Sequence, residues 1–283
     1  MKNSGISWTH HTFNPWIGCT KISDGCDNCY AERDWDHKKG LVAWGSGKPR
    51  HRTGPANWQQ PIRWDDACRR QGIRQRVFCA SLADVFDPEV PDAWREDLFT
   101  LIKRTPNLDW LLLTKRVGLM AAFFRDFRDA QWPWPHVSLG TSIEIQGFNW
   151  RGTMLAAIPA ARRFVSIEPM LNVVDIREYA SSIQEVIVGG ESGPHARLCP
   201  HPLAVREVRD QCMALGVRFC FKQWGDGFPW KTKLHNDAIL AAGYDPTLPR
   251  GGRMLDSTIW VGEMRETASS ELLKALHLDG GAR

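Results

Sequence analysis

The sequence predicts an α/β protein built as a partial or complete TIM-like (β/α) barrel of mostly parallel strands, with a loop-rich excursion after the first strand. Three observations predict it. Seven short apolar runs recur along the chain, each closing on polar residues. Helix-like stretches separate them, so strand, loop and helix alternate. The runs are apolar on both faces, as strands are when helices cover a parallel sheet. A doubly wound open sheet is the alternative that shares these signs.

In chain order, strands are expected at 6–14 ("ISWTHHTFN"), 76–84 ("RVFCASLAD"), 109–116 ("DWLLLTKR"), 136–144 ("HVSLGTSIE"), 162–169 ("RRFVSIEP"), 184–192 ("QEVIVGGES") and 217–225 ("VRFCFKQWG"). Helices are expected between them, among them 91–105 and 201–216. The second opens at Pro202, where a missing N–H costs nothing, and closes on Gly216, which accepts the left-handed turn that ends a helix. Residues 33–75 are rich in glycine, proline and basic residues without clear periodicity, and read as a loop excursion or cap. The basic run 69–76 reads as a solvated helix end. A length of 283 residues suits a single barrel domain over 1–225 with a C-terminal extension, 226–283, packing on it.

Composition narrows the setting. The N-terminus "MKNSGISWTH" has no apolar stretch of the kind that directs secretion, and no apolar run is long enough for a membrane span, so a cytoplasmic protein without a membrane partner is expected. A net charge of +4 is mild for a dedicated nucleic-acid binder. The 14 tryptophans often flank proline or glycine, which points to loops and rims, as hydrophobic lids or as stacking platforms.

Of 8 cysteines, three crowd into "NPWIGCTKISDGCDNCYAE" as Cys19, Cys26 and Cys29. In a reducing compartment such a cluster is read as metal ligation or catalysis before disulfides. A structural zinc site closes with four protein ligands, whereas three thiolates leave one position open; thiolates also hold iron–sulfur clusters, in which a bare iron would take a ligand that is not protein. His10 or His11 completing a zinc site, or Cys199 as a distant fourth thiol, are the competing readings. Cys68, Cys79, Cys212 and Cys220 fall in expected strands and helices and read as core residues.

The loop leaves the first strand on the face where other strand ends converge. Those ends form a set: Ser81 and Asp84, Thr114 and Lys115, Thr141 and Glu144, Ser166 and Glu168, Glu191 and Ser192, Lys222 and Gln223. In barrels and open α/β sheets alike, this face binds ligands.

"GCTKISDGCDNCYAE", followed in order by "SLADVFD", "LLLTKR", "GTSIE", "SIEPML", "VIVGGESG" and "FKQWG", resembles a phage-associated family of unknown function known for its three-cysteine motif. That family looks like a divergent branch of the radical S-adenosylmethionine (SAM) enzymes, with spore photoproduct lyase as a distant relative sharing a "TK" strand end. The resemblance implies a 4Fe-4S cluster on Cys19, Cys26 and Cys29, SAM as co-substrate, an external electron donor, and reductive cleavage of SAM to a 5′-deoxyadenosyl radical. It implies a nucleic-acid base or nucleotide as substrate. Three departures stand out. The first cysteine gap is longer than C-x3-C, and Tyr30 follows the third cysteine where an aromatic is expected before it. The Gly-Gly-Glu run expected after the second strand comes after the sixth, as Gly189, Gly190 and Glu191. Ser81 and Asp84 are then the candidates for the SAM ammonium, Lys115 for its carboxylate, Glu144 or Glu168 for the ribose hydroxyls, and Tyr30 for packing beside adenine. A zinc- or cluster-stapled binding protein is the alternative, and a zinc hydrolase a third reading.

Overall fold

A computed structural model describes residues 4–229 and 232–261. All seven expected strands are present: β1 (His11–Phe13), β2 (Gln75–Cys79), β3 (Leu108–Thr114), β4 (Val137–Ser142), β5 (Arg162–Ile167), β6 (Glu185–Gly189) and β7 (Arg218–Gln223). They form one sheet in sequence order, every pairing parallel. Between them lie α1 (Gln60–Gln71), α2 (Asp92–Lys103), α3 (Val117–Asp126), α4 (Trp150–Ala157) and α5 (Pro202–Leu215); α6 (Lys233–Ala241) follows β7.

The sheet curls into a half-barrel. Arg76 of β2 and Glu185 of β6 meet at 2.7 Å, although a flat sheet would hold strands four places apart at about 19 Å. Inside the curl Phe78, Leu111, Phe164, Ile187 and Cys220, one from each of five strands, form an apolar layer closed by Trp8. β4 contributes Gly140, because the Phe164 ring occupies the space a Cβ would take there. The larger core lies outside, between the sheet and its helices. Two layers of apolar residues on one sheet require strands buried on both faces, which is the pattern the sequence carries.

Several expectations change in detail. The first strand is only three residues long, since residues before it turn inward to place Trp8 in the lumen. The excursion at 33–75 is not all loop: α1 fills its second half, burying Pro61, Trp64, Asp65 and Cys68 at helical spacing. Pro61 lies in the first turn, and Asp65 is buried to accept from the Asn107 backbone at 2.7 Å, so a proline and a carboxylate disguise the helical stripe. The tryptophans are mostly core and not rim: Trp8, Trp16, Trp110 and Trp224 are fully buried. Pro202 and Gly216 bound α5 as expected, with Gly216 left-handed at φ 69°.

The described part of the extension lies along β7. Phe221 donates its N–H to Trp260 at 3.0 Å, and the Trp224 indole donates to the Met254 carbonyl at 2.9 Å. The rest of the extension, 262–283, is outside the described residues. Among the described residues no helix is long and apolar enough to cross a membrane.

Candidate functional site

The cysteine loop leaves β1 and crosses the C-terminal ends of four other strands. It begins beside β2, where the Gly18 N–H meets the Leu82 carbonyl at 3.1 Å. Beyond β3, Arg116 donates to the Cys19 sulfur at 3.4 Å and to the Thr20 carbonyl at 2.7 Å. Beyond β4, Glu144 accepts from the Ser23 hydroxyl at 2.8 Å. Beyond β6, Glu191 accepts from Asn28 at 3.0 Å. The loop then returns to β2, where the Tyr30 hydroxyl donates to the Ser81 carbonyl at 2.5 Å. The structure therefore brings the cysteines and the charged strand ends together.

Those strand-end charges are largely paired within the chain. Asp84 is buried and accepts from both the Thr114 hydroxyl (2.7 Å) and Arg116 (3.1 Å), and from the backbones of Phe86 and Lys115. With its oxygens so occupied it orients Arg116, which differs from the ammonium-binding role expected for it. Glu144 is fully buried between Lys115 (2.6 Å) and Arg151 (2.9 Å). Burial works to raise the Glu144 pKa, but those two cations and Ser23 outweigh it and hold the carboxyl below the ordinary range. The loop lies so close that a Cβ on Gly25 would meet the Glu144 side chain at 2.4 Å. Ser81 exchanges hydrogen bonds with Asn14 at 3.1 Å. Glu168 pairs with Lys222 at 2.6 Å and accepts from Ser166 at 3.1 Å.

The Gly189, Gly190 and Glu191 run serves packing and clamping. The Trp224 carbonyl lies 1.7 Å from where a Gly190 Cβ would stand, so the loops after β6 and β7 touch backbone to backbone. Glu191 then takes a fork from Arg197, which also donates to the Asp24 carbonyl at 2.8 Å and pairs with Asp27 at 3.6 Å. Burial opposes its charge, yet Arg197 and Asn28 keep the Glu191 carboxyl below its usual range.

Arg116 and Arg197 were not singled out in the sequence. Arg116 directly follows Lys115 in "LLLTKR", and a second cation beside a chosen one was the available signal. Arg197 carried none, being in an irregular segment.

The thiols differ in setting. Burial, and next the Asp84 charge, push the Cys19 thiol up to about 12, with Arg116 opposing. Burial also raises Cys29, against the backbone N–H groups of Glu32 and Ala31, which favour its thiolate. Both pack on an apolar cluster that includes Ile17, Ala31, Val42 and Trp44. Thiols met by a guanidinium and by backbone N–H groups match the donor set of an iron–sulfur cluster, whose sulfurs take such hydrogen bonds. Among the described residues no three His, Cys, Asp or Glu side chains converge to hold one metal ion. The competing fourth ligands lie elsewhere. His10 accepts from the Arg76 backbone and His11 bonds Gln75 and stacks on Trp64, all at the N-terminal end of the sheet. Cys199 is buried against Gly225. Cys68, Cys79, Cys212 and Cys220 are buried, as expected of core residues.

A groove of about 690 Å³ between α2 and α3, lined in part by Phe99, Phe123 and Phe127, holds none of these residues.

No curated protein and no solved structure matches the chain. The model of the family described as "Protein of unknown function (DUF5131)" matches residues 3–264, nearly the full length, and the chain belongs to that family.

Proposed function

We propose that the chain is a radical SAM-like iron–sulfur enzyme, with a 4Fe-4S cluster on Cys19, Cys26 and Cys29 and a nucleic-acid base or nucleotide as substrate. The observation that carries this reading is the placement of three thiols on a loop clamped over the C-terminal strand ends, with Arg116 donating to one sulfur. A cluster held by Cys19, Cys26 and Cys29 would supply one electron, drawn from an external donor, for reductive cleavage of SAM to methionine and a 5′-deoxyadenosyl radical.

The chain's own residues bind and orient. In this reading Lys115, 20% exposed, exchanges Glu144 for the SAM carboxylate, and Glu168, 13% exposed, accepts from ribose hydroxyls. Tyr30, its hydroxyl tethered at Ser81, offers its ring beside adenine. Asp84 and Glu144, wholly engaged, act through Arg116 and Lys115.

The test is anaerobic reconstitution followed by iron and sulfide counting and mass spectrometry after adding SAM and dithionite. Bound iron and sulfide with 5′-deoxyadenosine formation, both lost in Cys26→Ala, is the expected result. Zinc without iron, and intact SAM, overturns the reading.

A second reading, a zinc- or cluster-stapled binding protein without catalysis, is favoured by one observation: Asp84, Glu144, Glu168 and Glu191 are already paired with cations of the chain. It predicts a loaded protein that leaves SAM intact. Colour separates its two forms, since an iron–sulfur protein is brown and a zinc protein colourless.

A further inference from the structure

The chain's charge is unevenly placed. Residues 33–52 carry six Lys or Arg against two Asp, a net +4 that equals the net charge of all 283 residues. Part of that excess is met from outside the segment, Arg50 by Asp87 and Arg52 by Asp97, which leaves Lys38, Lys39 and Lys48 as its exposed share.

This segment is anchored to the cysteine loop itself. The Gly45 N–H donates to the Cys19 carbonyl at 2.9 Å. Arg50, fully buried, bonds the Thr20 hydroxyl at 2.8 Å and pairs with Asp87 at 2.8 Å. Val42 and Trp44 pack into the same cluster as Cys19 and Cys29. From these anchors two exposed tips project, 37–41 and 46–49, and they carry Lys38, Lys39 and Lys48.

The tip lysines are available to a partner. Lys38 reaches Asp34 at 3.0 Å but its side chain stays 61% exposed. A pair so open is worth at most about 1 kcal/mol and gives way to a denser anion. Lys39 lies over the Trp35 ring at 4.0 Å, a contact compatible with a simultaneous phosphate.

We infer that the 33–52 arm binds the phosphate backbone of a single-stranded nucleic acid and leads it toward the cysteine loop. Lysines that track successive phosphates hold a single strand without regard to sequence. A duplex fits less well, because a base must leave its stack before it can enter a site at strand ends. The inference rests on the nucleic-acid part of the function proposed above and is independent of the cluster.

Fluorescence anisotropy with a labelled 20-nucleotide single strand, across a salt series, tests it on the full chain with and without reconstitution. The comparison is Lys38→Gln/Lys39→Gln/Lys48→Gln against Arg63→Gln/Arg69→Gln/Arg70→Gln, an equal loss of charge at exposed positions of α1. The arm variant is expected to bind at least about tenfold more weakly near 0.1 M salt, its log–log salt slope shallower by about 2, while the α1 variant binds as the parent does. Circular dichroism melts establish that both are folded. No binding by the parent at low salt, equal losses in the two variants, or tighter binding to the matching duplex, to polyglutamate or to phosphatidylserine vesicles would each overturn the inference. Strand binding without SAM cleavage would remove the enzyme reading and keep the arm; SAM cleavage without strand binding would do the reverse.

Discussion

At the N-terminal end of the half-barrel Arg76 meets Glu185 at 2.7 Å across the lumen, while at the C-terminal end Arg116 meets Asp84 at 3.1 Å and continues to the Cys19 sulfur. Both pairs are buried arginine–carboxylate contacts. The first joins two strands and is roofed by the apolar layer under Trp8. The second joins a strand end to a loop, and its arginine spends the rest of its donors on a sulfur and a carbonyl. One pair ties two strands across the curl of the sheet; the other ties the cysteine loop to a strand end. On the function proposed above, the division is that of barrels, in which stability concentrates at one end of the strands and function at the other.

The most severe way to break the comparison is at the closed end. Arg76→Ala leaves Glu185 buried without its cation and is expected to cost about 3–5 kcal/mol in urea unfolding, with iron per folded chain unchanged. Replacing both partners, as Arg76→Met with Glu185→Leu, should recover most of that loss, because removing the pair together strands no charge. A loss of iron in the single variant would mean that the two ends are not separate in function.

A smaller effect is expected at the open end from Arg116→Lys. The ammonium still serves Asp84 but lacks the fork that reaches Cys19 and Thr20, so roughly 1.5–3 kcal/mol of charge-assisted hydrogen bonding is lost. Iron retained after reconstitution should fall well below the parent level while the fold survives. Full retention of iron would remove Arg116 from the site.

The smallest effect concerns His136, at the start of β4. Burial holds its pKa below the ordinary 6.5, and its Nε2 meets the Ile102 carbonyl at 3.0 Å. A depressed pKa means that the folded chain binds fewer protons than the unfolded one, so this contribution is present above pH 6.5 and is lost as pH falls below it. The thermal midpoint should drop between pH 6.5 and 5 by less in His136→Gln than in the parent. An equal drop would assign the acid sensitivity to other groups.

Much of this architecture was legible in the chain. Most strands announce themselves by apolar residues, and Pro202 and Gly216 mark their helix because a first-turn proline and a left-handed glycine are local requirements. The tryptophans misled, since proline and glycine beside Trp16 and Trp224 describe the turn of the backbone and say nothing of where the ring points; both are fully buried. α1 was hidden for a related reason, because Asp65 looks solvent-directed until Asn107, 42 residues away, supplies its partner.

By itself the sequence determined which segments are strands, the end of those strands at which the three cysteines fall, and the polar character of the strand ends, because these follow from period and from covalent neighbours. Tertiary structure alone decided which partner each carboxylate meets: Arg76 with Glu185 across 109 residues, Ser23 with Glu144 across 121, Asn28 with Glu191 across 163. A carboxylate in a sequence is compatible with any cation or ligand. Only the curl of the sheet, which removes water and fixes distance, makes one partner worth more than the others.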